Sequence, residues 1–117
     1  LSGTNTYSGG TTVNAGTLVL AKSAGTTAVA GNLVVGDGRG VDTLRLGANE
    51  QIADTATVTL RGGEVGNSAH VARLELNGAT DESFGSRIES FATLSITGNS
   101  VLDFGGAGAS GGLVLAV

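Results

Sequence analysis

Aliphatic residues recur at every second position in short bursts, and never hold the three-or-four spacing of a helix. The bursts are Thr17–Leu20, Asn32–Val35, Thr43–Leu46, Thr57–Leu60, Ala72–Leu76, Thr93–Thr97, Val101–Phe104 and Leu113–Val117. Each is bounded by Gly, Asn, Asp or Ser, the residues that turn a chain sharply. Side chains alternate across an extended strand, so this pattern gives each burst one apolar face and one polar face. The expectation is an all-β chain of short strands.

Four bursts share a stricter pattern. TLVL at 17–20, TLRL at 43–46, RLEL at 73–76 and VLDF at 101–104 place their first inward leucines at positions 18, 44, 74 and 102, which lie 26, 30 and 28 residues apart. A near-constant period of that size predicts stacked coils. Parallel strands in register then bring Leu18, Leu44, Leu74 and Leu102 into one ladder, with rungs ~4.8 Å apart. Leu20, Leu46, Leu76 and Phe104 form a second ladder beside it. The outward members are Val19, Arg45, Glu75 and Asp103. Arg45 beside Glu75 is a favourable neighbour pair, and Glu75 beside Asp103 is a mild conflict.

A second face precedes the first by short turns, using Thr12 and Val13, Leu33 and Val35, Val58 and Leu60, and Leu94 and Ile96. A third draws on Ala28, Val29, Ile52, and Phe84 or Ile88. The predicted fold is a parallel β-helix, a three-sided solenoid of four to five coils, right-handed by the usual chirality of crossovers. Residues 1–117 are read as one β-helix segment belonging to a longer protein.

Composition narrows the chemistry. Gly occurs 21 times, and Pro, Cys, Met and Trp are absent. Gly, Ser, Thr and Asn in such numbers are compatible with disorder, but the regular aliphatic alternation argues for a packed core. Without cysteine there are no disulfides and no thiolate metal sites. The net charge of −4 is spread without runs, leaving no basic stripe for nucleic acid. No stretch approaches the ~20 apolar residues of a membrane helix, and the N-terminus lacks a charged region followed by an apolar one.

Candidate sites fall in the irregular stretches between bursts. Asp37–Arg45, DGRGVDTLR, resembles a calcium-binding nonapeptide, in which Asp and turn carbonyls would hold a hard cation. Position one is Asp37 instead of Gly, and no second copy follows to complete a cage. No metal is therefore expected. Asp37 and Asp42 are the positions to examine, with Asp42 read as capping the corner. His70, the one histidine, is read as a solvent-exposed loop residue. Asp81, Glu82 and Glu89 lie in the longest insertion, and paired acids serve glycoside hydrolysis. Adjacent residues of an extended segment point apart, so these three are read as a solvated loop. Tyr7 is a candidate sugar contact, and Phe104 is assigned to the core. The asparagines are expected at corners, where Asn tolerates left-handed backbone geometry.

The opening YSGGTTVNAGTLVL resembles the autotransporter-associated β-strand repeat, also called the passenger-associated transport repeat. The match to its Tyr-Ser-Gly-Gly-Thr-Thr-Val…Gly-Thr-Leu motif runs from Tyr7 to Leu18. The later NLVVGDG, NEQIADTATVTL and LSITGNSVLDFG also look like segments that accompany the repeat. The resemblance implies a right-handed β-helix in an exported bacterial passenger or surface protein. It carries no catalytic residue over to this chain.

The functional expectation is a non-enzymatic scaffold or stalk segment, extracellular or on the cell surface, with no cofactor. Its partner is the rest of its own longer chain. The alternative is an adhesin binding glycan or a host surface through the insertions 62–71 and 77–90, and a polysaccharide-active enzyme comes third. Neither nucleic acid nor membrane insertion is expected. Convergent acids with a basic partner on one outer face would favour the enzyme, and an exposed aromatic and Asn patch the adhesin. A face of Thr, Ser and small residues would favour the scaffold.

Overall fold

Ten short strands lie among the described residues. They are β1 (Thr11–Val13), β2 (Gly16–Leu20), β3 (Leu33–Val35), β4 (Val41–Leu46), β5 (Thr57–Arg61), β6 (Val71–Glu75), β7 (Ile88–Ser90), β8 (Thr93–Thr97), β9 (Ser100–Asp103) and β10 (Val114–Ala116). The computed structural model describes residues 5–23, 25–48, 50–75, 88–103 and 114–116, with the backbone alone for 88–90 and 114–116. The described elements are all β.

Every strand pairing among the described residues is parallel. One sheet runs in the order β1-β3-β5-β8, a second in the order β2-β4-β6-β9, and β7 pairs with β10. Within each sheet the neighbours are never consecutive in sequence, because the chain visits one sheet, turns a corner into the other, and returns a coil later. Parallel strands need such crossovers, and stacking them gives a solenoid. A third line of contact joins Val29 to Ile52 by a parallel bridge, with the N–H of Ala53 donating to the Val29 carbonyl at 3.0 Å.

In the second sheet Leu18 pairs with Leu44, Leu44 with Leu74, and Leu74 with Leu102, while Leu20 pairs with Leu46. Leu76 and Phe104 lie outside the described residues, as does Phe84. In the first sheet the inward rows are Thr11–Leu33–Val58–Leu94 and Val13–Val35–Leu60–Ile96. The two sets of rows face each other and close the core. Leu20, Leu44, Leu46 and Leu74 are fully buried, as are Leu33, Val35, Val58 and Leu60. End rungs are less protected: Leu18, Leu94 and Leu102 are partly buried, and Ile96 is half exposed. Phe91 also enters the core, although it lies outside the bursts, two residues before Thr93–Thr97. It sits one residue before Ala92, whose N–H donates to the Ala56 carbonyl.

The corners from the first sheet to the second differ in length. Asn14 and Ala15 join β1 to β2, residues 36–40 join β3 to β4, residues 62–70 join β5 to β6, and Gly98 and Asn99 join β8 to β9. They nevertheless stack. A Cβ at Gly62 would fall inside the Asn99 peptide, and one at Gly36 would strike the Arg61 carbonyl from a backbone held at φ +97°. Gly62→Ala is therefore expected to destabilise the chain by ~1–3 kcal/mol, because overpacking against backbone cannot be relieved by a rotamer change. Gly9→Ala, where a Cβ meets nothing, should be near neutral. Chemical denaturation of the two variants side by side checks the stacking of corners, and equal midpoints would contradict it.

Asparagine works differently from the sequence expectation. Among the described residues the one non-glycine with positive φ is Glu50, so no described Asn takes the left-handed conformation. Instead the Asn side chains bridge coils. Asn5 Nδ2 donates to the Ala28 carbonyl, Asn32 Oδ1 accepts from the Thr57 N–H, and Asn99 Nδ2 donates to the Asn67 carbonyl. A corner leaves backbone groups outside the sheet ladders, and a short amide can reach those of the next coil.

Candidate functional site

Three surfaces hold the chemistry that the sequence offers: the two outer sheet faces and the stack of corners between them. On the outer face of the first sheet, the row Thr12–Val34–Thr59–Ser95 is flanked by Thr57–Thr93 and Arg61–Thr97. It is a field of hydroxyls and methyls containing one basic residue and no acid. The outer face of the second sheet carries the charges. Arg45 Nε donates to Glu75 Oε2 at 2.5 Å, and Arg73 Nη1 donates to Asp103 Oδ2 at 3.2 Å. Glu75's hydrogen bond holds the Arg45 guanidinium above its usual range, with the carboxylate's charge adding to it. The expected conflict between Glu75 and Asp103 is resolved by Arg73, which sits two residues before Glu75 on the same face. Each acid on this face has a basic partner in the neighbouring coil.

The corner stack contains the calcium-like segment. Asp37 is exposed, and its Oδ1 accepts from the Arg39 N–H at 2.9 Å, a local turn. Asp42 behaves differently. It shares strand parity with Leu44 and Leu46, so it points into the solenoid, where it is 1% exposed. Burial pushes its carboxyl above the ordinary carboxylate range, the Asp37 charge adds to that, and the Asp37 N–H pulls the other way. Among the described residues, Asp42 Oδ1 has no hydrogen-bond partner. Also among the described residues, no three acids or histidines converge to hold a metal ion.

His70 is half-buried, a correction to its reading as an exposed loop residue. The cause is the stacking of its corner. The His70 carbonyl accepts from the Gly63 N–H, and its ring nitrogen Nδ1 lies 3.4 Å from Asn67 Nδ2. Asn67 Oδ1 accepts from the Ala69 N–H, and the Asn67 carbonyl accepts from Asn99. The 62–71 insertion is thus a corner held by hydrogen bonds through Gly63, Asn67 and His70. The exposed apolar residue at its tip is Val65. Asp81 and Glu82 lie outside the described residues. For Glu89 the backbone is described, paired to Leu115 in the β7–β10 sheet, and the side chain is not.

Tyr7 is partly exposed beside an open groove at the first coil, lined with Thr11, Val13, Asn14 and Leu18. Its hydroxyl accepts from Thr11 Oγ1 at 3.1 Å. Among the described residues that line it, the groove has no ionisable group besides the Tyr7 phenol. One polar residue of structural weight escaped the sequence reading. Gln51 is fully buried, and its Oε1 accepts from the Lys22 N–H at 2.8 Å. No repeated pattern in the sequence marks it. No helix among the described residues is long and apolar enough to cross a membrane.

The first coil is also where a known family enters. Residues 1–20 match the family model described as the passenger-associated-transport-repeat. They carry that repeat, and they include the Tyr7–Leu18 motif. Comparison with curated proteins and with solved structures gave no match.

Proposed function

We propose that this chain is a non-enzymatic, β-helical scaffold segment of an exported bacterial passenger or surface protein. The observation that carries the reading is the outer face of the first sheet. It is built of Thr12, Thr57, Thr59, Thr93, Ser95 and Thr97 around Val34, the hydroxyl-and-methyl lining that a passive stalk needs. The second face brings Glu75 and Asp103 onto adjacent rungs beside Arg45 and Arg73, the arrangement named above for an enzyme, but its ion pairing weighs toward the scaffold. Its acids and bases are paired with one another across rungs, so they serve the stack and offer no free acid–base couple to a substrate. The passenger-associated transport repeat at residues 1–20 supports an extracellular or cell-surface location. The partner is the remainder of a longer chain, for which the partly buried rungs at Leu18, Leu94 and Leu102 and the exposed Ile96 offer continuing ladders.

An adhesin acting through 62–71 and 77–90 is the second reading, favoured by the exposed tip at Val65. A panel of plant, bacterial and host polysaccharides separates the readings. The 117-residue chain is expected to release no reducing sugar and to bind none of them tightly. Hydrolysis abolished by changing Asp81, Glu82 or Glu89 would replace the scaffold with an enzyme. Binding abolished by changes within 62–71 or 77–90 would replace it with an adhesin.

A further inference from the structure

The strongest unexplained feature is a buried carboxylate, Asp42, with one oxygen left unpartnered and only the Asp37 backbone N–H facing it as a donor among the described residues. Asp42 occupies the first inward position of β4, at the corner where the chain leaves the first sheet. Its neighbours in register are Gly16 on β2 and Ala72 on β6, and neither side chain offers a donor. Its Oδ1 is dry and without a partner among the described residues.

We propose that Asp42 makes the β3–β4 corner a proton-operated latch: a proton taken up by the buried carboxyl tightens the corner, and its loss loosens it. A buried carboxylate with one oxygen unpartnered, a single backbone N–H as donor and no cation beside it among the described residues is expensive, whereas a neutral carboxyl at the same place is far less so. The charge balance around Asp42 leaves the proton as the available neutraliser. β1, β2 and β3, which pack against β4, contain no ionisable residue. β6 contributes Arg73 and Glu75, both outward and tied to Asp103 and Arg45. The corner itself contributes Asp37, whose like charge opposes ionisation, and Arg39, whose backbone N–H is taken by Asp37. The adjacent 62–70 corner carries Glu64 and His70, with His70 held by Asn67.

The direction of the pH effect follows. Asp42's carboxyl is raised in the folded state, so the folded chain holds the proton more tightly than the unfolded chain does. Stability then falls as pH rises from the ordinary carboxylate value, about 3.9, through Asp42's elevated one, and levels off above it. The latch is closed in acid and strained near neutrality.

The test compares chemical denaturation of the wild-type chain, Asp42→Asn and Asp37→Asn between about pH 4 and pH 8. Asp42→Asn keeps the shape and removes the charge. Its folding constant should exceed the wild type's by at least about threefold at the upper end, the ratio closing toward one in acid. Asp37→Asn should narrow the pH window without abolishing it. Carbon-13 NMR of the wild-type Asp42 carboxyl gives a reading that needs no variant, and it should titrate above an aspartate in an unstructured peptide. Parallel pH profiles for wild type and Asp42→Asn would overturn the latch, as would titration at or below the peptide value. Millimolar Ca²⁺ should leave the profiles unchanged. A chelator-reversible loss of the pH dependence on adding Ca²⁺ would also overturn it, by assigning the carboxyl to a cation.

Discussion

Leu74→Ala is expected to lower the stability of the chain by ~2–5 kcal/mol, the range for emptying a well-packed aliphatic site. Leu74 is fully buried, with Leu44 on the rung before it and Leu102 on the rung after. Removing its isobutyl group opens a void that neither neighbour can fill, because both are fixed by the strand register. Arg45→Ala, on the outer face of the same sheet, should change stability far less. Its guanidinium is solvent-exposed, and an exposed ion pair gains little over hydration. Leu102→Ala should fall between them, since Leu102 is partly buried to begin with. Chemical denaturation with a common slope for the three variants gives the ranking. Equal, small losses for Leu74 and Arg45 would mean that the ladder is not the core.

Gln51→Leu is the second large effect, and it arises from a polar group. The substitution roughly preserves volume, so the loss reports hydrogen bonds and not a cavity. Gln51 Oε1 accepts from the Lys22 N–H, and Nε2 reaches the carbonyls of Ser23 and Thr26 at 3.5 and 3.4 Å. One side chain thereby fastens the loop that carries the chain from β2 toward Ala28 and Val29, both of which also donate to the Gln51 carbonyl. Stripping the amide leaves the Lys22 N–H without that acceptor. A buried group in this condition costs ~1–3 kcal/mol. The expected result is a loss in that range, with faster hydrogen exchange at Lys22 and unchanged protection at Leu44 and Leu74. Unaltered exchange at Lys22 would show that the loop is held by other contacts.

How much of this was legible in the sequence depends on the range of the signal. Alternation of side chains is local: TLVL or TLRL states which residues of a strand point inward without reference to the rest of the chain. A period of 26 to 30 residues between such bursts adds that the strands stack in parallel, since successive coils of one size leave like segments over one another. The parallel all-β fold and the neighbouring of Arg45 and Glu75 could therefore be read directly.

Features that depend on what lies across a corner could not. Arg73 is an outward residue of RLEL whose partner, Asp103, comes 30 positions later, and the diagonal contact exists only once both strands are laid down. The asparagines look in sequence like turn formers. Their amides instead find backbone groups 23, 25 and 32 residues away, which no local pattern indicates. Gln51 is buried next to the single bridge between Val29 and Ile52, and Phe91 between β7 and β8; both lie outside the strands, where alternation gives no signal.

Asp42 marks the division most sharply. As a letter in GDGRGVD it belongs to a polar corner, and the sequence reads it as a cap of that turn. The structure starts β4 at Val41, one residue before it, and two-residue periodicity then turns the carboxyl inward with Leu44 and Leu46. The sequence by itself determined the strands, their inward faces and their stacking, because those follow from backbone geometry repeated every two residues and every coil. Only the tertiary structure decided where each corner ends and the next strand begins. A shift of one residue there exchanges the inside for the outside.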